Sequence, residues 1–467
     1  MNLMKSSFAI ATIFASAIAL QAHAEPTKPV AVKGFTYVKS LGGIDEYRLD
    51  ANGLSVLLMP NRSAPVVTFM ITYRVGSRNE VTGTTGATHL LEHLMFKGTS
   101  KYNRAKGNDV TNFLERIGGN YNASTWLDRT NYYAEVSSEN LEGYMAIEAD
   151  RMRNLLVRED DRRPEMTVVR NEFEIGENDP LQALDKEIFA AAYQAHPYHH
   201  NTIGWRSDIE KVSIQKLRDF YNTFYWPDNA TATIVGDFDS AKALALINKY
   251  YGTIPKAPHP IPQVYTEEPA QSGPRRVMLQ RAGELGTVGV SYKSPGGAHP
   301  DFPALQVLGI IMANGKTSRF FRALTDKNLT TNVVAEPGFF HDPTLFQIYA
   351  SLAPKATHEA VEKIILDEVA KVKTEGVTDA EVATAAGKIR ANTAYGRDGS
   401  FAIASNINED IAAGDWTLFI TLDQALAKVT EADVKRVANV YLNQNQSTTG
   451  WYVPLASAAP AASATAK

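Results

Sequence analysis

Residues 254–276 hold six prolines among polar side chains (Pro255, Pro258, Pro260, Pro262, Pro269 and Pro274), and no other stretch restricts the fold as strongly. Proline fixes φ and lacks an N–H, so such a segment neither pairs as a central strand nor continues a helix; it reads as a linker. The chain repeats itself on either side of it. Val212-Ser213 followed by Leu217, Phe220, Phe224 and Tyr225 recurs 217 residues later as Val429-Thr430 followed by Val434, Val437, Tyr441 and Leu442. At the same offset Gly98 falls on Gly315, each after an apolar, helix-like run. The second half therefore repeats the fold of the first. The expected division is 35–253, linker 254–276, and 277–454.

The two copies differ in chemistry. Residues 85–99 read Thr-Gly-Ala-Thr-His-Leu-Leu-Glu-His-Leu-Met-Phe-Lys-Gly-Thr, and Leu90, Leu91, Leu94, Met95 and Phe96 predict a buried helix with Thr85-Gly86 at its start. Side chains four apart share a helix face, so His89 and His93 offer two imidazoles to one metal ion. Glu92 stands beside them, suited to act as general base without being used up as a ligand. This H-x-x-E-H order is the reverse of the commoner H-E-x-x-H metallopeptidase helix. In the second copy the same positions are Gln306, Gly309 and Ile310, which cannot hold a metal. That half is left to contribute by shape, substrate contact or holding a partner.

The chain has no cysteine, so metal ligands must come from His, Asp and Glu, and a catalytic zinc needs a third one beside an open position. Glu172, on a helix predicted to start near Pro164, is the candidate; Glu165, two turns earlier, would support a ligand from behind. The plain alternative is that both are surface glutamates. His196-Pro197-Tyr198-His199-His200 is richer in imidazole, but its internal proline reads as a loop with one buried histidine.

Around the metal helix, residues 47–49, 54–59 and 66–75 predict strands, 110–117 a helix stopped by Gly118-Gly119, and 121–126 and 131–137 further strands. Residues 140–156 and 240–250 predict helices, and 230–235 a strand. A net charge of -4 argues against nucleic acid as a partner. Lys5, an apolar run over 8–20 and Ala22-His23-Ala24 predict a cleavable export signal over 1–24, hence a periplasmic product in a Gram-negative cell. No other apolar run approaches the roughly twenty residues of a bilayer span, so no stable membrane anchor is expected. The Ala-, Ser- and Pro-rich residues 455–467 predict a disordered tail.

Taken together, His89-Leu90-Leu91-Glu92-His93 with Phe96-Lys97-Gly98-Thr99, Gly118-Gly119-Asn120-Tyr121-Asn122-Ala123-Ser124-Thr125 leading to Thr130-Asn131-Tyr132-Tyr133, Ala149-Asp150-Arg151-Met152, the Glu165 to Glu172 stretch with Asp179-Pro180, and His196-Pro197-Tyr198 carry a resemblance. Over about residues 35–454 the chain resembles the pitrilysin and insulinase family of zinc metallopeptidases, in the short branch that includes the mitochondrial processing peptidase subunits. The resemblance implies an α+β fold of two homologous domains, each a mainly antiparallel sheet packed with helices, together half of a clamshell. It implies one Zn2+ per chain held by His89, His93 and Glu172, with Glu92 as general base and Glu165 as supporting carboxylate. Asn122, Ala123, Ser124 and Thr125 would form an exposed edge strand that takes peptide by β-augmentation. A chain of two domains would need a second subunit to close the chamber.

One departure bears on that partner. Family members with a complete site carry an arginine and, seven residues on, a tyrosine in the second half. Here the matching stretch is Leu324-Thr325-Asp326-Lys327-Asn328-Leu329-Thr330-Thr331-Asn332-Val333, and Thr325 and Thr331 stand at or next to those positions. Arg319, Arg322 and Tyr349 lie outside the pattern and read as packing or surface residues. The expectation is the zinc-bearing subunit of a heterodimer whose homologous partner supplies the arginine and tyrosine. The competing expectation is a peptide-binding or structural subunit without turnover.

Overall fold

The structure, a computed structural model, describes residues 30–455. The export signal expected over 1–24 lies outside the described residues, as does the expected tail after Leu455, which ends the last strand. The first sheet contains β1 (Phe35–Leu41), β2 (Ile44–Leu49), β3 (Ser55–Pro60), β4 (Val66–Tyr73), β5 (Asn120–Thr125), β6 (Thr130–Ser137) and β7 (Ala230–Gly236), in the order β1-β2-β3-β7-β4-β6-β5. The second contains β8 (Arg275–Ala282), β9 (Thr287–Ser294), β10 (Thr330–Pro337), β11 (Thr344–Leu352) and β12 (Ser447–Leu455), in the order β10-β11-β9-β12-β8.

Helices α1 (Ala87–Leu94), α2 (Val110–Ile117), α3 (Leu141–Asn154), α4 (Glu159–Asn178), α5 (Pro180–Ala192), α6 (Arg206–Lys211), α7 (Ile214–Phe224) and α8 (Ser240–Tyr251) belong to the first half of the chain. The second half supplies α9 (Phe302–Ala313), α10 (His358–Glu375), α11 (Asp379–Tyr395), α12 (Ser400–Ala413), α13 (Leu418–Leu426) and α14 (Glu431–Tyr441).

The repeat is visible in the topology. Read from β8, the second sheet runs β8-β12-β9-β11-β10, and the first, read from β3, runs β3-β7-β4-β6-β5. In both, the first pair is parallel (β3 with β7, β8 with β12) and the later pairs are antiparallel. Helices α7 and α14 span equivalent residues, and each is opened by a hydroxyl, Ser213 accepting from Lys216 N and Thr430 from Asp433 N. Gly98 and Gly315 share a left-handed backbone, with φ of 98° and 84°. The fold class expected from the sequence is the one found.

Two helices sit on the opposite half. α5 lies across β8, β9 and β12, where Leu184, Ile188 and Phe189 pack with Leu345, Tyr349 and Tyr452. The sheet admits it through a cross-strand glycine pair: a Cβ on Gly289 would meet Ile188 Cδ1 at 2.6 Å, and one on its partner Gly450 would meet Ile188 Cγ1 at 2.8 Å. In return α12 covers β4, β6 and β7, with Ile403, Ile407 and Ile411 against Leu57, Met70 and Val235. Buried hydroxyls fix its position, Thr68 Oγ1 donating to Ser400 Oγ (2.9 Å) and Ser400 Oγ to Glu135 Oε1 (2.7 Å).

Several boundaries differ from the sequence reading: β8 begins at Arg275, inside the expected linker, and β2 begins at Ile44. α4 begins at Glu159 and carries Pro164 inside it, because the acidic first turn of Glu159, Asp160 and Asp161 complements the helix dipole upstream of the proline. Among the described residues no helix is long and apolar enough to cross a membrane.

Candidate metal centre

The metal helix is held at its start by a buried acid. Glu80, 4% exposed, accepts from Gly86 N through Oε2 (2.8 Å) and from Thr88 N through Oε1 (2.7 Å), so it satisfies two of the N–H groups a helix start leaves open. Burial pushes its carboxyl up to about 8, and those same N–H donors oppose the shift. Gly86 has φ 83°, and a Cβ there would lie 2.4 Å from Ile203 O, which explains the glycine. Leu90, Leu91 and Leu94 anchor the inner face of α1, leaving both histidines on the face toward α4.

His89 Nε2 and His93 Nε2 stand 3.4 Å apart, and each is 3.5 Å from Glu172 Oε2. Zinc bonds of about 2.0–2.2 Å at tetrahedral angles place ligand atoms about 3.4 Å from one another, so two nitrogens and a carboxylate oxygen in this triangle fit that ion. Among the described residues this is the one such gathering of His, Asp and Glu. Burial, with His93 adding to it, drives the His89 imidazole down to about 3, so its ring stays neutral with a lone pair available. His93 Nδ1 pairs with Glu165 Oε2 at 3.1 Å, which orients Nε2 into the triangle, and Lys97 Nζ pairs with the other Glu165 oxygen.

Glu92 is outside the triangle. Its Oε2 accepts from Thr125 Oγ1 at 2.6 Å, and burial raises its pKa while that hydroxyl and the charges of His93 and Arg129 pull the other way. Thr125 ends β5, the outer strand of the first sheet, which pairs with β6 alone. Trp126 N donates to Arg129 O at 2.9 Å, and from that bonded pair the antiparallel alternation turns the backbone of Ser124 and Asn122 toward β6 and that of Ala123 and Thr125 outward. Asn122 Oδ1 accepts the outward Ala123 N at 2.9 Å. A cavity of ≈ 400 Å³ opens beside His89 and Glu172, walled by Trp126, Phe173, Phe189 and, from the second half, Phe340.

The family Insulinase (Peptidase family M16) matches residues 55–205, and the family Peptidase M16 inactive domain matches residues 211–388. The zinc protease PqqE of Helicobacter pylori is 31% identical over 408 residues, 86% of this chain and 91% of that protein. This chain belongs to the insulinase family. A crystal structure of a protease from Helicobacter pylori superposes with a TM-score of 0.84 at 31% identity, covering 89% of this chain and 100% of that one. The probable β subunit of the mitochondrial-processing peptidase of Arabidopsis thaliana is 25% identical over 404 residues, 84% of this chain and 75% of that protein.

Other residues that the structure brings to this site could not be read from the sequence. Lys97 was visible only as part of a run, Thr125 was expected in the substrate strand but not as the partner of Glu92, and Glu80 and Arg129 carried no spacing signal. The His196 cluster does not join the metal triangle: His196 Nε2 pairs with Asp342 Oδ2 at 2.9 Å, and His200 lies 3.8 Å from Glu80. Arg319 is held by both oxygens of Glu381, each at 2.9 Å, and Tyr349 OH donates to Asp185 Oδ1 at 2.6 Å. Thr325 and Thr330 share a hydroxyl contact of 2.9 Å.

Proposed function

We propose that this chain is the zinc-bearing subunit of a periplasmic peptidase that hydrolyses oligopeptides or unfolded segments. The observation that carries the reading is the triangle of His89, His93 and Glu172 with a carboxylate, Glu92, left beside it. These three residues would hold one zinc ion, and Glu165 would orient His93 from behind. A bound zinc supplies a Lewis acid and makes water a nucleophile near neutral pH. With Oε2 engaged by Thr125, Oε1 of Glu92 is the atom free to take a proton from water and return it to the leaving amine. Residues 122–125 would receive the substrate backbone along the open edge of β5.

A heterodimer is supported by what the second half lacks. Thr325 and Thr331 offer neither cation nor phenol, and Arg319 and Tyr349 are engaged by Glu381 and Asp185. Loss of an oxyanion donor costs about 100-fold or more in rate, so a partner with an arginine and a tyrosine is expected. The periplasmic assignment rests on residues 1–24.

The test is zinc analysis together with peptide hydrolysis. Glu92→Gln should keep about one zinc and lose about 100-fold or more in rate, whereas Glu172→Gln should lose both. Hydrolysis untouched by Glu92→Gln would end the peptidase reading, and full activity of the chain alone would end the heterodimer. A zinc-free chain that still binds peptide would favour a binding subunit.

A further inference from the structure

The second half meets the β5–β6 corner at Phe340, against Trp126, and at His341, whose N–H donates to Asp128 Oδ2 at 3.0 Å, and it reaches the outer strand itself through an ion pair. α12, carried over from the second half, presents Glu409, whose Oε1 receives Arg129 Nη2 at 2.5 Å and Nε at 3.1 Å. Asn408 steadies the same oxygen through Nδ2 at 3.0 Å and is itself tied to β4 by Thr72 Oγ1 at 2.8 Å. Arg129 sits in the turn between β5 and β6, 9% exposed, and aims its remaining nitrogen at the edge strand. Its Nη1 donates to Ser124 O at 3.0 Å, to Ser124 Oγ at 2.6 Å and to Asn131 Oδ1 at 3.2 Å.

A guanidinium is flat and rigid, so two nitrogens fixed by one carboxylate determine where the third points. We infer that Glu409 and Arg129 are positioning residues for substrate: through them the second half fixes the pitch of β5 at Ser124, so that the outward backbone groups of Ala123 and Thr125 meet an incoming peptide. The inference rests on the proposed peptidase function and adds a task for the second half, which among the described residues has no gathering of His, Asp and Glu like that of His89, His93 and Glu172.

The full chain carrying Glu92→Gln, which leaves peptide intact, serves as the background for the experiment. A fluorescein-labelled unstructured peptide is titrated against it with Glu409 intact, with Glu409→Ala and with Glu409→Gln. Loss of a charge-assisted hydrogen bond to a near-buried cation should raise the peptide Kd about tenfold in Glu409→Ala, with partial recovery in Glu409→Gln, whose amide oxygen still accepts from Arg129. Zinc content should not change, because α12 remains seated by Ile403, Ile407 and Ile411. On the assembled enzyme with Glu92 present, KM should rise while kcat stays within about threefold, a split that loss of stability alone would not produce. Equal Kd for all three overturns the inference alone, as does a loss of zinc in parallel with peptide. No peptide binding with Glu409 intact, in the chain alone and with its homologous partner added, overturns the peptidase reading and the inference with it.

Discussion

Each oxygen of Glu165 has its own partner, His93 Nδ1 on one side and Lys97 Nζ on the other, so a single carboxylate sets the imidazole's orientation and ties Lys97 to the same place. Glu165→Gln should weaken zinc binding about 10- to 100-fold by chelator competition with little change in fold; unchanged affinity would leave Glu165 a mere helix residue. The ion pair of Arg319 and Glu381 makes a prediction of the opposite kind. Arg319, through its hydrogen bonds, pulls the Glu381 carboxyl from 4.5 to about 2. A depressed acid contributes stability above its unfolded pKa and loses it as pH falls through the folded one, so the gap between wild type and Glu381→Gln should be full above 4.5 and vanish near 2. Solvent screening keeps that gap to about 1 kcal/mol in urea unfolding. His89, Glu92 and His93 were legible because their spacing alone fixes a shared helix face. Lys97 was not, since its use depends on where Glu165 arrives from.

The same division holds among elements. α1 was legible in type and place, and α2 ends at Gly118 in a left-handed conformation, as the Gly118-Gly119 pair predicts. What the sequence of α1 does not contain is its cap, because Glu80 lies six residues before Gly86 and reaches it only after a turn. Glu80→Ala should leave two buried N–H groups without partners and cost about 2–4 kcal/mol in denaturant unfolding, with zinc affinity falling too as His89 loses its footing. No stability change would mean that the packing of Leu90, Leu91 and Leu94 holds the helix alone.

At the scale of the molecule, the exchange of α5 and α12 makes each sheet depend on a helix from the other half. Ile188, fully buried against Gly289 and Gly450, is the strongest probe: Ile188→Ala should cost about 2–5 kcal/mol, and both halves should unfold in one transition. Residues 30–253 produced alone would expose Leu184, Ile188 and Phe189 and lose the cover of α12, so calorimetry should find no cooperative melt. Two separate transitions in the whole chain would contradict this coupling.

The amino-acid order by itself determined the repeat, the strand and helix alternation and the pair of imidazoles with their acid, since these follow from local periodicity and from proline's effect on the backbone. Tertiary structure decided that the carboxylate expected at Glu172 comes within 3.5 Å of both imidazoles, which acid caps their helix and which half covers which sheet. Those choices depend on side chains up to hundreds of residues apart meeting at hydrogen-bonding distance, and no local pattern encodes such a meeting.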